Sequence, residues 1–191
     1  MSHSFFAYIF RMRYIARWAL MRNTRTENVE EHSYEVAVLA HALAAIGREV
    51  FHKDVDPDKA ATAALFHDAP EIITGDMPTP IKYYNPDIKT AYRQVEAVAQ
   101  DKLLSMLPPE LVPAYAPLVR ESDEGVRRYV KAADKLSAYI KCVEEGKAGN
   151  SEFKMAAGQI MAALKGMDME ELNWFMERFL PAFELTLDEL E

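Results

Sequence analysis

His67 and Asp68 stand side by side in an alanine-rich segment, with His32 well before them and Asp134 well after. Two imidazoles and two carboxylates in this order form the mixed donor set of a catalytic metal site. Such a site leaves coordination positions open for water and substrate. These donors suit Mn, Co, Fe, Zn or Mg and exclude a thiolate site. Neighbouring side chains diverge by about 100° around a helix, yet one cation between them can be reached by both. A His-Asp pair alone arises often by chance. The ordered set, each member on an expected helix, is far more specific.

The elements that must position these residues read almost throughout as helix. Phe5, Phe6, Ile9, Met12 and Ile15 recur at helical spacing and predict a first helix over roughly residues 4–18. Polar residues Arg22, Asn23 and Arg25 break the pattern. Asn28, with Glu31 three places on, reads as the N-cap of a helix to about Arg48, which puts His32 in its first turn. Asp56-Pro57 opens a third helix, with His67 and Asp68 near its C-terminal end. Pro70 is expected to distort that last turn. Gly75, Pro78 and Pro80 mark a loop over residues 74–80. Asn85-Pro86 starts a fourth helix to about Leu107, stopped by Pro108 and Pro109, with a short helix or turn behind it. A long helix over roughly residues 124–145 carries Asp134. Further helices follow Ser151 and Asp168, the second with Glu171 at a capping-box position and Pro181 at its end. Alternating apolar runs are few and no hairpin turn is evident. The expectation is one all-α domain over residues 1–191, with about seven or eight helices around the ligand-bearing ones.

With 191 residues, half of them hydrophobic, the chain can bury a full core. Its net charge of −8 argues against a nucleic-acid polymer or an anionic membrane as partner, while local Arg, Lys and metal charge still admit a small phosphorylated substrate. Cys142 is the only cysteine, which excludes an internal disulfide and fits a reducing cytoplasm. The apolar stretch from Phe5 to Phe10 is short and runs into Arg11 and Arg13, so it predicts neither a membrane span nor a signal peptide.

Geometry sorts the remaining candidates. His41 follows His32 by nine residues, about half a turn round the same helix, and so points away from the site. His3 and His52 lie near a terminus and a loop, where exposure is the default. Asp134 borders the stripe of Val126, Val130, Ala133 and Ser137, a place for either a solvated flank or a carboxylate that meets a cation. Glu71 lies four residues after His67, within about 40° of the same helix face. There it would orient or deprotonate an attacking water. As a plain surface residue it would sit in a last helical turn, against the macrodipole. Asp76 is either a turn former or a substrate contact. Arg17-Trp18 is either a helix end anchored by an indole or a phosphate clamp beside an aromatic wall. Lys82 is either solvated or a phosphate partner.

Thr26-Glu27-Asn28-Val29 before Glu31-His32-Ser33, then Phe66-His67-Asp68-Ala69-Pro70-Glu71, Thr74-Gly75-Asp76-Met77-Pro78-Thr79-Pro80 and Ala133-Asp134, resemble the HD-domain 5′-deoxynucleotidases (YfbR-like). Arg17-Trp18 and Leu185-Thr186-Leu187-Asp188-Glu189 extend the likeness over nearly the whole chain. The resemblance implies a single HD domain that hydrolyses deoxyribonucleoside 5′-monophosphates. It implies one divalent cation on His32, His67, Asp68 and Asp134, with Co or Mn foremost and Mg, Zn and Fe admitted. It assigns catalysis to Glu71, Arg17 and Asp76. Substrate contacts fall to Arg17, Trp18, His32, Asp76, Thr79, Pro80, Ile81, Lys82 and Asp134. It also implies a homodimer. Another HD phosphohydrolase, acting on cyclic nucleotides or triphosphates, is the first alternative. A second well-held metal would need further ligands, and His41 faces the wrong way. A non-catalytic helical module that keeps its metal is the second, and the presence of Glu71 speaks against it.

Overall fold

A computed structural model of the chain describes residues 3–82 and 84–190, with the Thr79 side chain outside that description. The helices in chain order are α1 (Phe5–Ile9), α2 (Val29–Glu49), α3 (Pro57–Phe66), α4 (Glu71–Thr74), α5 (Thr79–Lys82), α6 (Pro86–Leu104), α7 (Val112–Val119), α8 (Glu124–Lys147), α9 (Lys154–Lys165) and α10 (Glu170–Arg178). Among the described residues there is no strand beyond one isolated bridge, Ala16 to Asn28. The all-α expectation holds, with more and shorter pieces than seven or eight helices. No helix among these residues is long and apolar enough to cross a membrane.

The starts of the long helices follow from local chemistry. Asn28 accepts from Glu31 N while Glu31 caps the Asn28 N–H, a complete capping box at the head of α2. Asp56 accepts from Asp58 N and Lys59 N ahead of Pro57, and Asn85 accepts from Ile88 N ahead of Pro86. α2 is the central rod, packed chiefly against α3 and α8. Val36, Ala40, Leu43 and Ala44 of α2 are buried with Ala60 and Ala64 of α3 and Val130, Ala133 and Leu136 of α8. The alanines let three backbones approach closely, which brings polar side chains at their ends within reach of one another. A second cluster, including Phe5, Ala69, Leu103, Leu104, Leu107 and Val119, pins α1 and α6 beneath the His67-Asp68 turn.

Four expectations change. The first helix stops at Ile9, passes through a 3-10 turn over Phe10–Tyr14, and gives way to extended chain. Val29 N then donates to Ile15 O and Arg17 N to Glu27 O, so residues 15–17 lie antiparallel to the approach to α2. Arg17 and Trp18 are therefore not at a helix end. Secondly, α3 ends at Phe66. A proline ring clashes with the carbonyl four residues back, and for Pro70 that residue is Phe66. Residues 67–70 instead form tighter turns, with His67 N to Ala64 O and Ala69 N to Phe66 O. Glu71 opens a new helix, α4, so it does not share a face with His67. A carboxylate in a first turn also escapes the macrodipole objection. Thirdly, the expected loop over 74–80 is confined to residues 75–78, since Thr74 closes α4 and Thr79 opens α5. Fourthly, Glu171 closes no capping box, and its helix starts after Met169. It is buried and accepts from Tyr129 Oη at 2.8 Å and from Lys53 Nζ at 2.9 Å, beneath Gly47, where a Cβ would meet the Tyr129 hydroxyl at 2.9 Å.

Candidate metal centre

His32, in the first turn of α2, is fully buried. The turn after α3 presents His67 and Asp68 to it, and α8 presents Asp134. Atoms of His32, His67 and Asp68 fall within 4.8 Å of one another, the arrangement that could hold a metal ion. Asp134 joins through His32, with 3.1 Å from its Oδ1 to Nε2. Its side chain is 42% exposed and marks the open side of the cluster.

The imidazoles test whether a cation fits. His67 Nδ1 donates to the Ala64 carbonyl at 2.6 Å. That fixes the ring's proton there, so a neutral His67 turns a lone pair outward on Nε2. This atom is buried and has no hydrogen bond of acceptable geometry, although Asp68 Oδ2 lies 3.1 Å away. His32 Nε2 lies 3.6 Å from the same oxygen. Lone pairs facing a carboxylate require positive charge between them. Without a metal a proton can serve: burial would lower His67, but Asp68 overrides it and pushes the imidazole up to about 9. Burial opposes ionisation of Asp68 too, yet His67, His32 and Arg17 hold it well below the usual carboxylate range. The donor set fits a cation in this position.

Arg17 enters the cluster along the extended segment. Its Nη1 lies 3.3 Å from Asp68 Oδ2 and its Nε donates to Glu27 Oε1 at 2.7 Å. Trp18 follows with φ of 57°, in the left-handed region that side chains other than glycine rarely adopt. Its indole tilts against Phe153 at 5.2 Å, and its Nε1 is buried without a partner. Glu71 is buried with one oxygen, Oε2, unpartnered. Burial first, and then the Asp68 and Asp76 carboxylates, push its carboxyl up to about 9. Burial likewise raises Asp76, against the pull of Arg17.

The members of α5 sit differently. Pro80 and Ile81 are exposed, and the Thr79 side chain lies outside the described residues. Lys82 donates to Glu96 at 2.9 Å and lies over the Tyr92 ring at 4.7 Å. It is therefore not a free solvated lysine. His41 is exposed and lies 3.5 Å from Asp58 of α3, on the side away from the cluster. Glu27, Glu35 and Ser137 reach the cluster without any local sign in the sequence. Ser137 meets His32 across 105 positions and Glu35 across 102, while Glu27 reaches Arg17 and His32 only because the chain folds back between them.

The family described as 5′-deoxynucleotidase YfbR-like matches residues 4–183. A 5′-deoxynucleotidase of Erwinia tasmaniensis is 50% identical over 193 residues, covering 100% of this chain and 98% of that protein. The 5′-deoxynucleotidase YfbR of Escherichia coli is also 50% identical, covering 99% and 96%. Among solved structures, an HD-domain phosphohydrolase from Listeria innocua superposes with a TM-score of 0.80 at 23% identity, covering 95% of this chain and 88% of that one. The HD phosphohydrolase of cyanophage S-2L, solved with dA and one catalytic Zn2+ ion, gives 0.67 at 22% identity, covering 94% and 98%. These two likenesses show the fold.

Proposed function

Since the chain belongs to the YfbR-like 5′-deoxynucleotidase family, we propose that the cluster around His32, His67, Asp68 and Asp134 is the seat of that family's reaction. The enzyme is a phosphomonoester hydrolase that converts 2′-deoxyribonucleoside 5′-monophosphates to deoxynucleosides and phosphate. The observation that carries the site is the convergence of the His67 and His32 Nε2 atoms on Asp68 Oδ2, at 3.1 and 3.6 Å.

His32, His67, Asp68 and Asp134 hold one divalent cation, a reading supported by the single Zn2+ of the cyanophage protein. When bound, such an ion supplies positive charge against the phosphoryl oxygens and acidifies water. Arg17, held between Glu27 and Asp68, offers its remaining N–H groups to the phosphate and offsets its charge. Glu71 orients the attacking water and takes its proton. Its buried, unpartnered oxygen beside the cluster suits that exchange. Asp76 accepts from the sugar 3′-hydroxyl, and Trp18 walls the 2′-carbon. α5, with Thr79, Pro80, Ile81 and Lys82, borders the substrate, Lys82 reaching the phosphate only on leaving Glu96. The protein works as a homodimer in the cytoplasm. The exposed Phe10, Tyr14, Tyr34 and Val38 support a covered face, and the lone buried thiol of Cys142 supports a reducing compartment.

The test is a panel of 5′-, 3′- and cyclic nucleotides, ribo and deoxy, with Mn2+ or Co2+ and phosphate release as readout. Metal-dependent turnover of the deoxy 5′-monophosphates is expected. Preferential cleavage of cyclic nucleotides or triphosphates would overturn the substrate assignment, and turnover unaffected by chelation would overturn the metal site. Mass by light scattering decides the dimer.

A further inference from the structure

The two histidines of the cluster are oriented by different means. His67 gives its Nδ1 proton to the backbone carbonyl of Ala64, which no substitution can remove. His32 has no such carbonyl. Its Nδ1 lies 3.2 Å from Ser137 Oγ, and Ser137 Oγ in turn donates to Glu35 Oε2 at 3.0 Å. We propose that Ser137 and Glu35 are positioning residues that hold His32 with its proton on Nδ1 and aim its bare Nε2 at the cation position. The proposal rests on the metal-site reading above.

The protons available around the ring decide its tautomer. A serine hydroxyl has one, and an ionised carboxylate can only accept. With Glu35 taking that proton, Ser137 turns lone pairs toward His32 Nδ1. The other group near Nδ1 is Glu27 Oε1 at 3.7 Å, again an acceptor. Every neighbour on that edge of the ring therefore asks for an N–H. The opposite edge faces Asp134 Oδ1 at 3.1 Å and Asp68 Oδ2 at 3.6 Å, where a lone pair is tolerated only with a cation present. Ser137 follows Asp134 by three residues on α8, so one helix face grips the ring from both edges. Glu35 follows His32 by three residues on α2 and closes the relay from the ring's own helix. His32 and Ser137 are buried, so water cannot replace the hydroxyl cheaply.

Outer partners of this kind fix a ligating imidazole's tautomer, and their loss costs about 10–100-fold in metal affinity. The experiment is calorimetric titration of Mn2+ into the metal-free full-length protein. Ser137→Ala and Glu35→Ala are expected to raise the dissociation constant by about 10–100-fold while circular dichroism shows the same fold. Glu35→Gln keeps an oxygen that accepts from Ser137, and should stay within about threefold of wild type. Nitrogen NMR of the Zn2+-loaded wild type should place the His32 proton on Nδ1. Equal Mn2+ affinity in wild type and Glu35→Ala, or a His32 proton on Nε2, would overturn the proposal even if Ser137→Ala does not fold. Wild type that binds no Mn2+ would instead remove the metal site and the relay together.

Discussion

Arg17 and Asp68, 51 residues apart, meet at 3.3 Å between Nη1 and Oδ2. One carboxylate thus serves both the proposed cation and the proposed phosphate clamp. With Nε tied to Glu27, the guanidinium is already oriented before substrate arrives, so little rotamer freedom is left to lose on binding.

If His32, Asp68 and Asp134 are ligands, alanine at any of them should abolish tight Mn2+ binding and turnover together. His41→Ala should leave the rate within about a few-fold of wild type, because that side chain pairs with Asp58 on the far side of α2. Metal content and activity of each folded variant decide the matter. A dead but folded His41→Ala would discredit the assignment.

Glu71→Ala separates ligation from proton transfer. It should hold metal nearly as wild type does and lose about 10²-fold or more in kcat, the scale of a positioned acid–base group. Both quantities should come from one preparation. Loss of metal along with rate would make Glu71 a ligand.

Sugar selectivity should reside in Trp18 and Asp76. Wild type is expected to turn over dAMP much faster than AMP or 3′-monophosphates, with little preference among bases. In the proposed pocket, the packing of the indole against Phe153 at 5.2 Å would keep it from moving aside for a 2′-hydroxyl. Trp18→Ala should erode that selectivity more than it slows dAMP, whereas Arg17→Ala should slow all substrates alike. Equal kcat/KM for AMP and dAMP in wild type would end the selectivity argument and leave the hydrolase intact.

Glu145 makes acid stability testable. Buried in α8, it accepts from Lys141 Nζ at 2.6 Å, from Thr24 Oγ1 at 2.7 Å and from Asn150 Nδ2 at 2.8 Å, pinning the loop between Trp18 and Glu27. Burial would raise its carboxyl, but these hydrogen bonds hold it below the ordinary range. A carboxyl depressed in the folded state adds stability that is present above its unfolded value of about 4.3 and is lost as pH falls through the folded one. Glu145→Gln should cost about 2 kcal/mol at neutral pH in urea unfolding, the worth of a hydrogen-bonded charge. The gap from wild type should narrow below about pH 4. A gap that is constant with pH would show that the ionised form contributes nothing.

The sequence by itself determined what depends on near neighbours. Asn28 with Glu31, Asp56 with Pro57 and Asn85 with Pro86 set helix starts within three residues, and the structure has those starts. The lone cysteine, the acidic charge and the order His32, His67-Asp68, Asp134 were equally plain, because residue type alone carries them. Pro70 announced a disturbance but not its form. Whether a helix bends or stops depends on what the next residues find to pack against, and Ala69 found the second core. Tertiary structure alone decided that Arg17 leaves the first helix to lie along the approach to α2, that Glu71 heads its own helix, and that Glu27, Glu35 and Ser137 stand behind the cluster. The His32 contacts with Asp134 and Ser137 span 102 and 105 positions. A cap is closed by its own turn of chain, whereas these contacts exist only because close alanine packing holds α2, α3 and α8 together.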